Sequence, residues 1–108
     1  MLSGKSNGAR VACRTAADLG ADGVLCLSFP LHPPGRPEVS RADELRLPVG
    51  AGIPLHVVQG EKDPFGTPGE VRAELGGPAH VTAVPGEHTI RATGPLVEAA
   101  RSFVASLV

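Results

Sequence analysis

Positive charge, aromatic residues and long apolar runs are all scarce in this sequence. Its 108 residues include three Phe and neither Tyr nor Trp, and the net charge is -1. A nucleic-acid-binding surface needs concentrated Lys and Arg to neutralise phosphates, so no nucleic-acid partner is expected. No apolar run is long enough to span a membrane, and no apolar signal region follows Met1. We therefore expect a cytoplasmic protein without a membrane partner.

Cysteine is also rare, with Cys13 and Cys26 as the two examples. Both lie inside apolar stretches and they do not form a C-x-x-C pair, so they are predicted to be buried, reduced thiols. A zinc site would need more Cys and His residues at ligand spacing. The sequence thus predicts neither a metal site nor an organic cofactor.

Glycine and proline are abundant, with 14 and 11 residues, but they separate apolar runs instead of forming one tract. This pattern is typical of short elements joined by loops, here in a single domain over residues 1–108. Continuous apolar runs predict buried strands at residues 23–29, 54–60 and 80–85. Apolar periodicity predicts helices at residues 8–19, 68–75 and 95–108.

The alternation of these elements predicts an α/β fold, a three-layer sandwich with a mostly parallel sheet. Residues 30–52 are rich in proline and polar residues, and we expect them to form one long loop. The first helix has no complete strand before it, and residues 1–3 have the character of a strand stub.

The stretch Gly4-Lys5-Ser6-Asn7-Gly8 permits two interpretations. Gly4-Lys5-Ser6 matches the end of a phosphate-binding P-loop, but the first glycine of that motif would lie before residue 1. The five residues together match G-x-S-x-G, the nucleophile elbow of a serine hydrolase. In this turn, small residues flank a strained serine that lies between a strand and a helix.

Two later residues favour the elbow. Asp63 follows the strand at 54–60, and His88 follows the strand at 80–85, which gives the order serine, acid, histidine of these hydrolases. The carboxyl ends of parallel strands are where an open α/β sheet holds its site. Each residue also has a plainer reading: Asp63-Pro64 as a turn, and His88 as a solvated loop histidine. His32 and Phe65 are further candidates, as residues lining a substrate pocket.

The sequence resembles the α/β-hydrolase-like family of testis-expressed protein 30 and the third regulatory subunit of the non-specific-lethal complex, whose bacterial members are described as dienelactone-hydrolase-like. The matching stretches are GKSNGARVA, DGVLCLSFPLHPPGRPE, PLHVVQGEKDPFGTP and VPGEHTI. The resemblance implies a Ser6 nucleophile, an Asp63 acid and a His88 base, acting on a small ester-like substrate without a cofactor. It implies an oxyanion donor at the N–H of Asn7.

The resemblance covers the C-terminal half of that family, so we expect a truncated α/β-hydrolase fold that lacks its N-terminal strands. A second oxyanion donor belongs to the absent half, which predicts weak or no activity. A start codon further upstream would account for the same truncation. One branch of the family serves in a chromatin complex, so the alternative is a non-catalytic interaction module. Its exposed sheet edge could also bind a second copy of the chain.

Overall fold

A four-stranded parallel sheet forms the centre of the computed structural model, which describes residues 1–90 and 94–107. The strands follow one another in chain order across the sheet: β1 (Leu2–Lys5), β2 (Val24–Leu27), β3 (Leu55–Gly60) and β4 (Val81–Val84). The predicted α/β fold with a parallel sheet is confirmed, and each strand lies within or next to an apolar run of the sequence. Because the strands are parallel, their carboxyl ends share one edge of the sheet.

Helices cover both faces of this sheet. The helices are α1 (Asn7–Thr15), α2 (Ala42–Gly50), α3 (Pro68–Leu75) and α4 (Gly94–Ser106), and one 3₁₀ turn spans Pro78–His80. One large apolar cluster joins α1, α2 and α3 to side chains such as Val24, Cys26 and Val57. The alternate strand positions, such as Leu25 and Val58, pack against Phe103 of α4 in a smaller cluster. The period of two along a strand therefore produces the three layers.

The single long loop expected over residues 30–52 is wrong, because α2 lies within it. Ala42, Leu45 and Pro48 are buried at a spacing of three residues, and Asp43 and Glu44 occupy the first turn, where carboxylates favour a helix N-terminus. A proline at position 48 argues against a helix from the sequence alone, because proline has no N–H to donate. In a helix of nine residues its missing N–H costs one hydrogen bond, and burial of its ring offsets that loss.

The first helix begins close to the predicted residue 8, but it ends at Thr15 instead of residue 19, and its buried face differs from the expected one. Val11, an apolar residue of this helix, and Leu19, which lies beyond its end, are both largely exposed. The buried side chains of this helix are those of Ala9, Ala12 and Cys13, which lie on one side at helical spacing. Small residues therefore face the sheet, and α1 packs closely against β1 and β2.

The two cysteines are buried and free, as predicted, with their sulfur atoms 3.6 Å apart. A hydrogen bond to Cys13 and burial together raise the pKa of the Cys26 thiol well above its usual range. The pair is a core contact between α1 and β2.

The helix predicted at residues 68–75 is confirmed, including its start. Thr67 accepts a hydrogen bond from the N–H of Glu70, and Glu70 accepts one from the N–H of Thr67, which forms a capping box. For the last helix, residues 94–106 are helical, whereas Val108 and residues 91–93 lie outside the described residues. Phe103 is buried, whereas its apolar neighbour Val104 is exposed, because α4 presents a narrow apolar stripe to the sheet.

Candidate active site

Ser6 lies in the turn between β1 and α1, at the carboxyl edge of the sheet. Its backbone has φ 55° and ψ -122°, a conformation that L-residues rarely adopt. The N–H of Ser6 donates to the carbonyl oxygen of Leu27 at 2.9 Å, which anchors the turn to β2. The strained turn holds the Ser6 side chain between strand and helix, as the elbow pattern predicts.

The two glycines of the elbow have different surroundings. A Cβ added to Gly4 would overlap the backbone carbonyl group of Gly8. A Cβ on Gly8 would meet no atom within 4 Å, because Gly8 is exposed in the first turn of α1. Steric exclusion of a side chain therefore accounts for glycine at position 4 but not at position 8.

Asp63 lies three residues beyond the end of β3, in a tight turn. Its N–H donates to the carbonyl oxygen of Gly60 at 3.2 Å, and its own carbonyl oxygen accepts from Gly66 at 3.2 Å. The side chain is 0% exposed, and a buried carboxylate needs hydrogen-bond donors. The N–H of Phe65 donates to Oδ1 at 2.8 Å, and Gln59 Nε2 donates to Oδ2 at 3.3 Å.

His88 follows β4 and contacts both other residues. Its Nε2 is 2.8 Å from Ser6 Oγ, and its Nδ1 is 2.9 Å from Asp63 Oδ2. The ring of Phe65 lies against the imidazole, with centroids 4.3 Å apart. A carboxylate can only accept, so the Nδ1 proton faces Asp63 and the lone pair of Nε2 faces the serine hydroxyl.

This arrangement can remove a proton from a serine hydroxyl. Three residues that are 25 to 82 positions apart in the chain form one hydrogen-bonded series at the carboxyl edge of the sheet. The imidazole is partly exposed, with 20% of its side-chain surface accessible, while the carboxylate beneath it is shielded. A hydroxyl within hydrogen-bond distance of an imidazole that a third group orients is the arrangement in which a serine can be activated as a nucleophile.

Asn7 is the first residue of α1 and directly follows Ser6. The first N–H groups of a helix have no intrahelical acceptor and carry partial positive charge. The backbone N–H of Asn7 is therefore free of the helix ladder beside the serine. Its side-chain Oδ1 accepts from Arg10 at 3.4 Å.

The two residues expected to line a pocket, His32 and Phe65, differ in their surroundings. His32 is buried, and its Nδ1 and Nε2 lie 2.8 Å from the Pro33 carbonyl oxygen and from Glu70 Oε2. The Pro33 carbonyl and the Glu70 carboxylate raise the pKa of His32, against the opposing effect of burial. Phe65 lies at the triad, against the ring of His88. A pocket role for either residue stays a prediction.

Sequence reasoning did not identify Gln59 or Ser28. Gln59 is fully buried and hydrogen-bonded to Asp63. The one feature of the sequence that could have indicated a role for Gln59 is its position as a single amide at the end of the apolar run of β3. Ser28 follows β2 with φ 60°, and its buried hydroxyl has no hydrogen-bond partner among the described residues.

A cavity of about 630 Å³ lies between β3, β4 and α4, away from the triad. His56, near the amino end of β3, and His80, directly before β4, line it. His56 Nε2 is 2.7 Å from Thr82 Oγ1, and His80 Nδ1 is 3.1 Å from the Leu55 carbonyl oxygen, so both histidines make structural hydrogen bonds. Burial, with a smaller effect of His80, lowers the pKa of His56.

Over residues 1–90 and 94–107, no three His, Cys, Asp or Glu side chains lie close enough together to hold a metal ion. None of the helices in that part of the chain is both long and apolar enough to cross a membrane.

A family model matches this chain. Searches of curated proteins and of solved structures returned no match. The family model described as an alpha/beta hydrolase domain matches residues 1–94, which is most of the chain and includes Ser6, Asp63 and His88. The elbow turn and the parallel sheet agree with that description. The chain belongs to the alpha/beta hydrolase domain family.

Proposed function

We propose that this protein is a serine hydrolase of the carboxylic-ester type, with Ser6 as nucleophile, His88 as base and Asp63 as acid. The observation that carries the proposal is the pair of side-chain distances, 2.8 Å from Ser6 Oγ to His88 Nε2 and 2.9 Å from His88 Nδ1 to Asp63 Oδ2. The strained backbone at Ser6 supports it, because strain of this kind concentrates at functional sites.

In the proposed reaction, His88 Nε2 takes the hydroxyl proton while Ser6 Oγ attacks the carbonyl carbon of an ester. Asp63 holds the imidazole in the required tautomer and stabilises the imidazolium. The imidazolium returns its proton to the leaving alcohol as the acyl-enzyme forms. Water, activated by the same histidine, then attacks the acyl group, releases the acid and restores Ser6. No cofactor takes part in these steps.

The N–H of Asn7 is the proposed oxyanion donor, at the positive end of α1. Loss of a single oxyanion donor lowers turnover on the order of 10²–10³-fold. The sequence predicts that this chain by itself is a weak catalyst, and a slow labelling rate in the experiment below would support that prediction.

Labelling with a fluorophosphonate probe tests the nucleophile directly. We expect the purified chain to be labelled, with the probe mass on the peptide that contains Ser6, and we expect Ser6→Ala to abolish labelling. Ser3→Ala is the matched control, because Ser3 is an exposed serine in β1, the strand that leads into the Ser6 turn. Labelling at another serine, or none in a sample with native circular dichroism, would contradict the proposal.

A second candidate function is a non-catalytic interaction module that also self-associates. The observation that favours it is the outer edge of β1, which has no strand partner among the described residues. The N–H groups of Leu2 and Ser6 point to β2, so by strand alternation those of Ser3 and Lys5 point outward. An unpaired edge of this kind is a template for another strand.

Ser3→Pro separates the two functions, because it removes an outward N–H and leaves the bonds to β2. If the edge mediates self-association, sedimentation equilibrium will show a dimer in the parent chain and a monomer in Ser3→Pro. Ser6→Ala should leave association unchanged. A parent chain that is monomeric at every accessible concentration would refute self-association through the edge.

We also propose that, within the alpha/beta hydrolase family, the chain is related to testis-expressed protein 30, to the non-specific-lethal subunit and to dienelactone-hydrolase-like bacterial proteins. A small-molecule ester, the absence of a nucleic-acid or membrane partner and the cytoplasmic location stay predictions. A panel of p-nitrophenyl esters of increasing acyl length would define the substrate class once labelling of Ser6 is established.

A further inference from the structure

Gln59 is an unusual residue for its position. It is fully buried near the end of β3, where the residues before it are the apolar Val57 and Val58. Transfer of an amide into such surroundings is costly unless its polar atoms form hydrogen bonds. A shorter apolar side chain would fill a sheet core at lower cost, so the amide calls for another explanation.

The Gln59 amide pairs with the segment that follows β2. Its Oε1 accepts from the N–H of Phe29 at 3.0 Å, and its Nε2 donates to the Phe29 carbonyl oxygen at 3.0 Å. Nε2 also donates to the carbonyl oxygen of Gly66 at 2.8 Å. Only the amide oxygen can accept from an N–H, so these partners fix which end of the amide faces which loop.

The remaining contact reaches the triad. Nε2 lies 3.3 Å from Asp63 Oδ2, the same oxygen that lies 2.9 Å from His88 Nδ1. Two hydrogens of the amide therefore face three oxygens, and the bond to Asp63 is the longest of the three. A hydrogen bond of this length adds little stability, but it can still orient the Asp63 carboxylate. The N–H of Phe65 holds Oδ1 at 2.8 Å, and Gln59 holds Oδ2.

We propose that Gln59 is a positioning residue that sets the plane of the Asp63 carboxylate and thereby the orientation of His88. This inference rests on the proposed hydrolase function. Donors on both carboxylate oxygens prevent rotation of the group, so a lone pair of Oδ2 stays directed at Nδ1. Gln59 also holds the segments that carry Phe29 and Gly66 at a fixed separation around the acid.

The kinetic test replaces Gln59 with methionine, which has similar length and no hydrogen-bonding amide. We expect the second-order rate of fluorophosphonate labelling to fall by about 10- to 100-fold, because small misplacements of reacting groups are costly. His56→Met is the matched control, since His56 lies on the same strand and makes one side-chain hydrogen bond remote from the triad. Its labelling rate should match that of the parent chain.

A double-mutant cycle with Asp63→Asn distinguishes positioning from a general loss of structure. If Gln59 acts through Asp63, Gln59→Met will lower the labelling rate by less than about 3-fold in the Asp63→Asn background, because the effects of residues that act together are not additive. An equal loss in both backgrounds would overturn the inference.

Nuclear magnetic resonance of the Gln59 side-chain amide gives a readout that does not depend on activity. It also does not require the Gln59→Met variant to fold. The amide resonances should be protected from hydrogen exchange, shift in Asp63→Asn and stay in place in Ser6→Ala. Absence of a shift in Asp63→Asn would overturn the positioning contact itself. A parent chain that shows the shift but is not labelled would instead overturn the proposed function and, with it, the catalytic part of the inference.

Discussion

The acid and the histidine of the proposed triad are held by two segments of very different construction. The acid segment, residues 60–67, carries internal backbone hydrogen bonds, a contact from Gln59 and a capping box at its end. The histidine segment, residues 85–90, accepts one backbone hydrogen bond from outside itself in the described part of the chain, from Lys62 to Gly86.

This difference indicates that the three side chains are held by different kinds of contact. Folding of the sheet and of α3 fixes Ser6 and Asp63 through backbone hydrogen bonds. The ring of His88 is held by the groups it touches: Ser6, Asp63 and the ring of Phe65. The position of the His88 ring therefore depends on its contacts with Asp63 and Phe65 of the acid segment, more than on backbone hydrogen bonds of its own segment.

Asp63→Asn should have the largest effect. The asparagine can still accept the N–H of Phe65, so the acid segment should keep its form, while the histidine loses the acceptor that sets its tautomer. We expect the rate of Ser6 labelling to fall on the order of 10⁴-fold with little change in circular dichroism, by analogy with the known effect in the serine protease triad. A loss below about 10-fold would mean that other contacts orient His88, contrary to this comparison.

Gly60→Ala should have an intermediate effect, because its new Cβ would overlap the backbone carbonyl oxygens of Gly86 and Glu87. The softer histidine segment should move away, with a loss in labelling rate of about 10²-fold. Gly52→Ala is the matched control: Gly52 has φ 74° and open space around its Cβ position, so strain costs about 1–2 kcal/mol of stability but labelling should persist. Equal labelling rates in both variants would show that His88 does not depend on this contact.

His32→Gln should have the smallest effect, and that effect should depend on pH. The pKa of His32 is raised by the Pro33 carbonyl and by Glu70, so its stabilising effect is present below the ordinary value of 6.5 and is lost as pH rises through the raised pKa. Glu70 is partly exposed and solvent-screened, so we expect the variant to lose about 1 kcal/mol in the free energy of urea unfolding at about pH 5.5, and less at about pH 9.

The pKa of Glu70 is lowered by the Thr67 N–H and by His32, so its own contribution is retained above 4.5 and is lost as pH falls through the lowered value. The stability advantage of the parent chain over His32→Gln should therefore be greatest between about pH 4.5 and pH 6.5, where Glu70 is ionised and His32 is protonated. An advantage that is equal at both pH values would indicate that His32 acts through packing alone.

The parts of this structure that depend on local chemistry could be predicted from the sequence. Thr67 and Pro68 specify the start of α3, and the apolar runs of β2 and β3 specify a buried parallel sheet. The order Ser6, Asp63, His88 indicated which residues could meet. Their mutual distances depend on tertiary packing, which no spacing in the sequence encodes.

Two features escaped prediction for opposite reasons. α2 was missed because Pro48 is a helix breaker by propensity, and tertiary burial overrides that propensity in a short helix. Gln59 was missed because a single polar residue in an apolar strand has no periodic signature. Its partners Phe29 and Gly66 belong to other segments of the chain, so its role follows only from the assembled sheet.

The unequal surroundings of Gly4 and Gly8 bear on how this family can vary. The G-x-S-x-G pattern requires both glycines equally. In this chain, however, only the first of the two, Gly4, has no room for a side chain. A combinatorial library that fixes Gly4 and randomises Gly8 should retain folded members, with alanine among the enriched choices because it favours a helix over glycine by up to about 1 kcal/mol. Pattern searches that relax the final glycine would then recover functional elbows that a strict five-residue pattern rejects.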